Sequence, residues 1–236
     1  MFEMMLERAK AAGLKLTEDQ ARRFETYHRM LTEANAQFNL TRVPEDIAEA
    51  IDRNYLDCCA PMAGDFPADV KTIVDVGSGA GFPGIPLSIC RPDIHVVMMD
   101  SLGKRVEFLK SVIEALDLNA EAIHIRAEDG ARKAEYREAF DMATARAVAG
   151  LNLLSEYLLP FVKVGGWMMA FKGPSLEEEL KEAENALNIL GGEFVREEKV
   201  NIPGRDWDHR LAYIRKAAPT PDKYPRKAGK PEKKPL

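Results

Sequence analysis

The chain has 236 residues, 46% of them hydrophobic and 30% charged, which suffices for one sizeable α/β domain with an extension. No apolar run approaches the ~20 residues of a membrane span, and the N-terminus lacks the basic-then-apolar layout of a signal peptide. Cys58 and Cys59 are adjacent, Cys90 is remote, and His28, His95, His124 and His209 are scattered, so neither a disulfide framework nor a metal site fits. A reduced, cytoplasmic, metal-free protein is expected.

The first sixty residues read as helices. Thr17 and Gln20 have the spacing of a capping box, and behind them Phe24, Tyr27, Leu31, Ala34 and Phe38 form one apolar stripe. Pro44 is placed in the first turn of a second helix through Ile47, Ile51 and Tyr55. From Lys71 the rhythm changes. Strands are expected in "KTIVDV", "IHVVMMD", "AEAIHIRAED", "FDMATARAV" and "GGWMMAFKG", separated by helices over Gly84 to Cys90, 102–117, 151–162 and a serine-capped 175–190. Two final strands, "EFVREEKVNI" and "RLAYIRKA", have no helix between them and should pair as an antiparallel hairpin. Alternating strands and helices imply a doubly wound α/β fold, a mostly parallel sheet of seven strands covered on both faces. Although the net charge is −5, Lys216 to Leu236 carry seven Lys/Arg against two Asp/Glu. Composition reads this tail as a solvated, disordered terminus, and its charge suggests a polyanionic partner.

The densest signal is "DVGSGAGFPGIPLSI", Asp75 to Ile89, at the hand-over from first strand to first helix of the sheet. In an open α/β sheet the ligand sits beyond the carboxyl ends of the strands, where glycine lets the backbone approach it closely. A Walker A loop needs lysine after Gly84, and Ile85 follows; a nucleophile elbow needs glycine two before Ser78, and Val76 stands there. Gly79, Gly81 and Gly84 satisfy the dinucleotide pattern literally, with Asp100 21 residues beyond Gly79, so an NAD(P)-dependent reductase stays open. Asp75 beside the loop would repel a pyrophosphate and suits a cationic or zwitterionic ligand.

The run "DVGSGAG" resembles the first motif of class I S-adenosylmethionine-dependent methyltransferases. Together with "NLTRV", "DSLGKRVEFLK", "RAED", "ATARAVA", "MAFKG" and the tail "PTPDKYPRKAGKPEKKPL", it is similar to the RsmG (GidB) family of small-subunit ribosomal RNA methyltransferases, from about Asn39 to Leu236. The resemblance implies a Rossmann-like methyltransferase sheet with an antiparallel last strand. It also implies an N-terminal helical extension (1–65), a methyltransferase domain (66–216) and a basic tail (217–236). The implied cofactor is S-adenosyl-L-methionine; the partner is 16S rRNA or the assembling small subunit, approached by a monomer away from any membrane.

By the same resemblance Gly77, Gly79, Gly81 and Phe82 form the cofactor loop. Asp100 would bind the ribose, and Ala127 with Glu128 the adenine. Arg146 would lie at the cofactor and act in catalysis with Lys172, while Arg126, Lys172, Arg226 and Lys227 would contact RNA. The chain departs from the family pattern at Asn54 and Cys58, which stand for a histidine and a serine, and at "DHR", which shifts Arg210 by one. No NPPY-type tetrapeptide and no cysteine follow the fourth strand, so neither exocyclic amino nor pyrimidine C5 methylation fits. Guanine N7 (the guanine-527 type position) needs neither device. A methyltransferase with another substrate, and a non-catalytic ribosome-docking module, remain as alternatives.

Overall fold

The computed structural model describes residues 1–236. Two helices lead, α1 (Phe2–Ala11) and α2 (Glu18–Gln37). The capping box forms as expected: Gln20 donates its amide to Thr17 Oγ1 at 3.2 Å, and Thr17 donates to Gln20 Oε1 at 2.9 Å. Next comes a continuous helical stretch made of α3 (Ile47–Ala50), a π-helical segment (Ile51–Leu56), α4 (Asp57–Cys59) and a 3₁₀ turn (Ala60–Ala63). Pro44 lies outside it, because Asp46 caps Glu49 N at 2.7 Å and fixes the start at Ile47.

The sheet has seven strands in the order β3-β2-β1-β4-β5-β7-β6. They are β1 (Thr72–Val76), β2 (His95–Asp100), β3 (Ala120–His124), β4 (Phe140–Arg146), β5 (Val162–Lys172), β6 (Gly192–Val200) and β7 (His209–Lys216). The pairs among β1 to β5 are parallel; β7 runs antiparallel to both β5 and β6. Five further helices fill the crossovers: α5 (Gly84–Cys90), α6 (Gly103–Leu116), α7 (Ala127–Gly130), α8 (Leu151–Leu158) and α9 (Leu176–Leu190). The short α10 (Lys230–Lys233) lies in the tail.

Period-two alternation sorts the strand side chains into two cores. Ile73, Val96, Met98, Met142, Met169 and Tyr213 join the core that contains Phe24, Tyr27 and Leu31 of α2. Val74, Val97, Met99, Ala143, Met168 and Ile214 join a second core with α8 and α9. The N-terminal helices are thus the cover of one sheet face, burying apolar surface that the sheet would otherwise expose.

Three further local expectations need correction. The third strand stops at His124, and Ala127 and Glu128 stand in a helical turn instead of at a strand end. Ser175 occupies the cap position of α9, but its hydroxyl bonds Glu179 Oε1 at 3.2 Å and caps no amide. The tail is not a free terminus: Tyr224 and Thr220 are buried, and Arg226 forks onto the fully buried Glu156 at 2.9 and 2.6 Å.

Candidate active site

The carboxyl ends of β1, β2, β4 and β5 carry the residues singled out from sequence. The order reverses between β1 and β4, which opens a crevice there. Gly77, Gly79 and Gly81 all have positive φ (74°, 60° and 108°), the backbone region that an L side chain rarely adopts. A Cβ at Gly79 would meet little, only the carbonyl of Gly77 at 3.9 Å, so the space over the loop is open. At Gly81 a Cβ would fall 2.5 Å from Ile85 Cγ1 and 2.9 Å from the Tyr27 hydroxyl. The loop is held from behind by α2, whose buried Tyr27 donates to Ala80 O at 2.7 Å.

Asp100 organises the loop's outer wall. It accepts the Gly79 amide at 2.9 Å on one oxygen and the Leu102 amide at 2.9 Å on the other. Next to it Leu102 leaves 52% of its surface exposed, and across the loop Val148 leaves 38%. Two exposed aliphatic side chains flanking a glycine cradle suit a flat, partly apolar ligand such as a nucleoside. Glu128 adds a polar anchor: it is 4% exposed, and its Oε1 has no hydrogen-bond partner. A buried acceptor without a donor is costly, and the exocyclic amine of a nucleobase would satisfy it. Ala127 is half-buried beside it and Arg126 is exposed.

Two residues of the loop region face inward. Phe82 packs in an aromatic cluster with Tyr27 and Tyr55, at centroid distances of 5.7 and 6.0 Å. Asp75 is fully buried, accepting the Gly84 amide on Oδ2 at 2.9 Å while Oδ1 lacks a partner. Burial raises its pKa to about 7, against the hydrogen bond from the Gly84 amide that lowers it. The folded state therefore holds this proton more tightly than the unfolded chain, whose carboxylates titrate near ~4. Asp75 contributes stability that is complete below that range and lost as pH rises through about 7. Asp75→Asn mimics the protonated form. Its melting temperature should match wild type at low pH and gain on it steadily from pH 5 to 8. A difference that does not vary with pH would show that Asp75 does not titrate there.

On the β4–β5 side lies a second space, a cleft of about 710 Å³. Five basic side chains line it, Arg42, Arg53, Arg146, Lys172 and Arg210, against the carboxylates of Asp57 and Glu179. Arg146 and Lys172 end adjacent strands. The Arg146 guanidinium passes 5.4 Å from the Phe82 ring centroid and donates to Asp57 Oδ2 at 2.9 Å, Arg53 O at 2.9 Å and Cys58 Sγ at 2.9 Å. Burial lowers its pKa, but the surrounding acceptors, the Asp57 carboxylate and the Cys58 sulfur to which it hydrogen-bonds, raise it by more, so its charge is secure. The Cys58 thiol is pushed up to about 12 by burial, so it stays protonated. Lys172 is 6% exposed and donates to Ala149 O at 2.7 Å and Glu179 Oε2 at 2.6 Å. The same Glu179 oxygen accepts Leu151 N at 2.8 Å, so this pair ties down the 147–150 loop.

The structure thus gathers Gly77, Gly79, Gly81 and Asp100 at one groove, and Arg146 with Lys172 at the neighbouring cleft. Arg226, paired with Glu156 on α8, and the exposed Lys227 lie in the tail. Sequence reasoning missed Asp57 and His209. His209 Nδ1 lies 2.8 Å from Asp57 Oδ1, so the carboxylate bridges it to Arg146. The signal was indirect: an arginine among small apolar residues demands an acidic partner, but nothing local says which.

A family model described as rRNA small subunit methyltransferase G matches residues 20–205. A protein of Clostridium perfringens (strain SM101 / Type A) named ribosomal RNA small subunit methyltransferase G is 45% identical over 100% of this chain and 98% of its own length. Two solved structures share the fold at low identity. P. horikoshii TYW2 in complex with MeSAdo has a TM-score of 0.53 at 14% identity, covering 75% of this chain and 66% of that one. The [4+2]-cyclase SpnF has a TM-score of 0.55 at 15% identity, covering 83% and 93%. A cyclase on the same fold shows that the sheet alone does not decide the reaction. The family match and the full-length relative do more: the chain belongs to the rRNA small subunit methyltransferase G family.

Proposed function

We propose that the protein transfers the methyl group of S-adenosyl-L-methionine to N7 of a guanine in 16S rRNA, the guanine-527 type position. Family membership supports the activity and the substrate class. The observation that carries the cofactor assignment is the orphaned, buried Glu128 Oε1 in the turn after β3, at the same end of the sheet as the open glycine loop that follows β1. Gly77, Gly79 and Gly81 would hold the amino-acid part, Asp100 the ribose hydroxyls, and Glu128 with the Ala127 amide the adenine edge. Bound S-adenosylmethionine supplies an electrophilic methyl on a sulfonium.

The rest of the work falls to the chain. Guanine N7 has an in-plane lone pair and no proton, so nothing needs to be abstracted, and catalysis is positioning plus electrostatics. Arg146 lies between the cofactor loop and the cleft, and its remaining donor capacity suits guanine O6. Lys172 acts through the loop it anchors. The basic lining of the cleft and the exposed Arg126 and Lys227 would follow RNA phosphates. In this reading the enzyme is a cytoplasmic monomer, with residues 1–65 forming the acceptor-side cover, 66–216 the catalytic body and 217–236 a docked tail. No helix is long and apolar enough to cross a membrane.

The test is transfer of labelled methyl to small-subunit RNA, followed by borohydride and aniline treatment. Scission at one guanine is expected, since N7-methylguanosine is labile to that chemistry. Labelling without scission would move the methyl to another atom. Stabilisation by NAD(P) and not by S-adenosylhomocysteine would restore the reductase reading.

A further inference from the structure

One aromatic pair at the rim of the cleft stands outside both hydrophobic cores. Trp207, in the loop between β6 and β7, lies over His209 with ring centroids 5.4 Å apart and planes 26° from parallel. Trp207 is only half-buried and belongs to neither core. By contrast, the Tyr27, Tyr55 and Phe82 rings meet at tilted or edge angles inside the protein. The guanidinium groups of Arg53 and Arg205 approach the Trp207 ring centroid at 4.9 and 5.3 Å. Arg53 and His209 also line the cleft, and the His209 side chain is 34% exposed.

The pair is held at several points. Arg205 donates to the fully buried Asp52 at 2.7 Å, which pins the loop. His209 is fixed through Asp57, which also holds Arg146. A flat, immobilised, partly exposed stack beside a basic cleft has the character of a surface prepared for another flat group.

We propose that the Trp207–His209 stack is a platform for an unpaired nucleobase adjoining the target guanine, with Arg53 and Arg42 receiving its phosphates. The proposal rests on the RNA methylation reading and deepens it. A guanine presented to the groove has left its own stack, and its neighbour loses stacking with it. Aromatic side chains restore that interaction with little regard to base identity, while arginines track the backbone. The stack therefore positions the substrate and takes no part in methyl transfer.

The experiment uses the full chain and an rRNA fragment that the wild-type enzyme methylates, with each nucleotide flanking the target replaced in turn by an abasic one. At one position, wild-type kcat/KM should fall by about ten-fold or more. Trp207→Phe should respond as wild type does. Trp207→Ala should begin lower by a similar factor and show no further loss at that position, with its affinity for S-adenosylhomocysteine unchanged. 2-Aminopurine at the sensitive position should be quenched on binding to wild type and Trp207→Phe, a readout that does not depend on the alanine variant folding. Undiminished sensitivity in Trp207→Ala, or insensitivity of wild type at every flanking position, would overturn the platform while leaving the methyltransferase reading intact. Failure of wild type to methylate any RNA would sink both, and is recognised before any variant is made.

Discussion

Arg146→Ala is expected to cut RNA methylation at least ~100-fold while S-adenosylhomocysteine binding changes little, because the proposed reading makes it a preorganised donor at the reacting base, and such a donor is typically worth that much. Three contacts disappear with the guanidinium: Asp57, the Arg53 carbonyl and Cys58. Asp57 is 7% exposed and would keep only His209. Breaking a largely buried pair from one side costs on the order of 3–5 kcal/mol, so the variant should also melt earlier. Arg146→Lys separates the two effects. It keeps a charge near Asp57 and should recover much of the stability, but a single ammonium cannot reproduce the planar fork and activity should stay low. Single-turnover rates at saturating cofactor, with parallel melting curves, read both. Wild-type methylation by Arg146→Ala would remove this residue from the mechanism.

Asp100→Ala should give the opposite pattern. Both carboxylate oxygens hold loop amides, Gly79 on one side and Leu102 on the other. Each hydrogen bond to a charged group contributes about 1.5–3 kcal/mol. The ribose would be a further partner on the same carboxylate. Losing the anchor loosens the glycine cradle and removes the sugar's acceptor, so the Kd for S-adenosylhomocysteine should rise about 100-fold by calorimetry. With cofactor raised to saturation, kcat should recover to within a few-fold, since nothing at the acceptor cleft has changed. A Kd within about three-fold of wild type would mean that Asp100 serves the loop fold and not the ligand.

Much of this site could be read in the sequence because its signals are local. Glycines at 77, 79 and 81 take backbone conformations that other residues rarely adopt, and the acid ending β2 follows at a fixed interval. The alternation of strands and helices is equally local, and the sheet follows from it. What escaped has physical causes. "AEAIHIRAED" reads as one strand because the cap residue Arg126 keeps extended dihedrals, φ −77° and ψ 148°, before the chain turns helical at Ala127. The tail reads as solvated because composition reveals its charge but not the buried Glu156 that holds Arg226, 70 residues away. Asp57 and His209 are 152 residues apart, and no periodicity connects them. The π-helical segment before Asp57 adds to the difficulty, since a wider turn breaks the phase that a helical reading assumes.

The bridge from Arg146 through Asp57 to His209 joins three distant parts of the chain. The glycine loop and Asp100 all lie between residues 77 and 100, well before residue 209 in the chain. The acceptor side waits for residue 209, which enters the sheet only with β7, the strand that zips between β5 and β6. In the proposed reading, a chain halted before β7 has every residue of the cofactor loop but lacks His209 and Arg210 of the cleft lining.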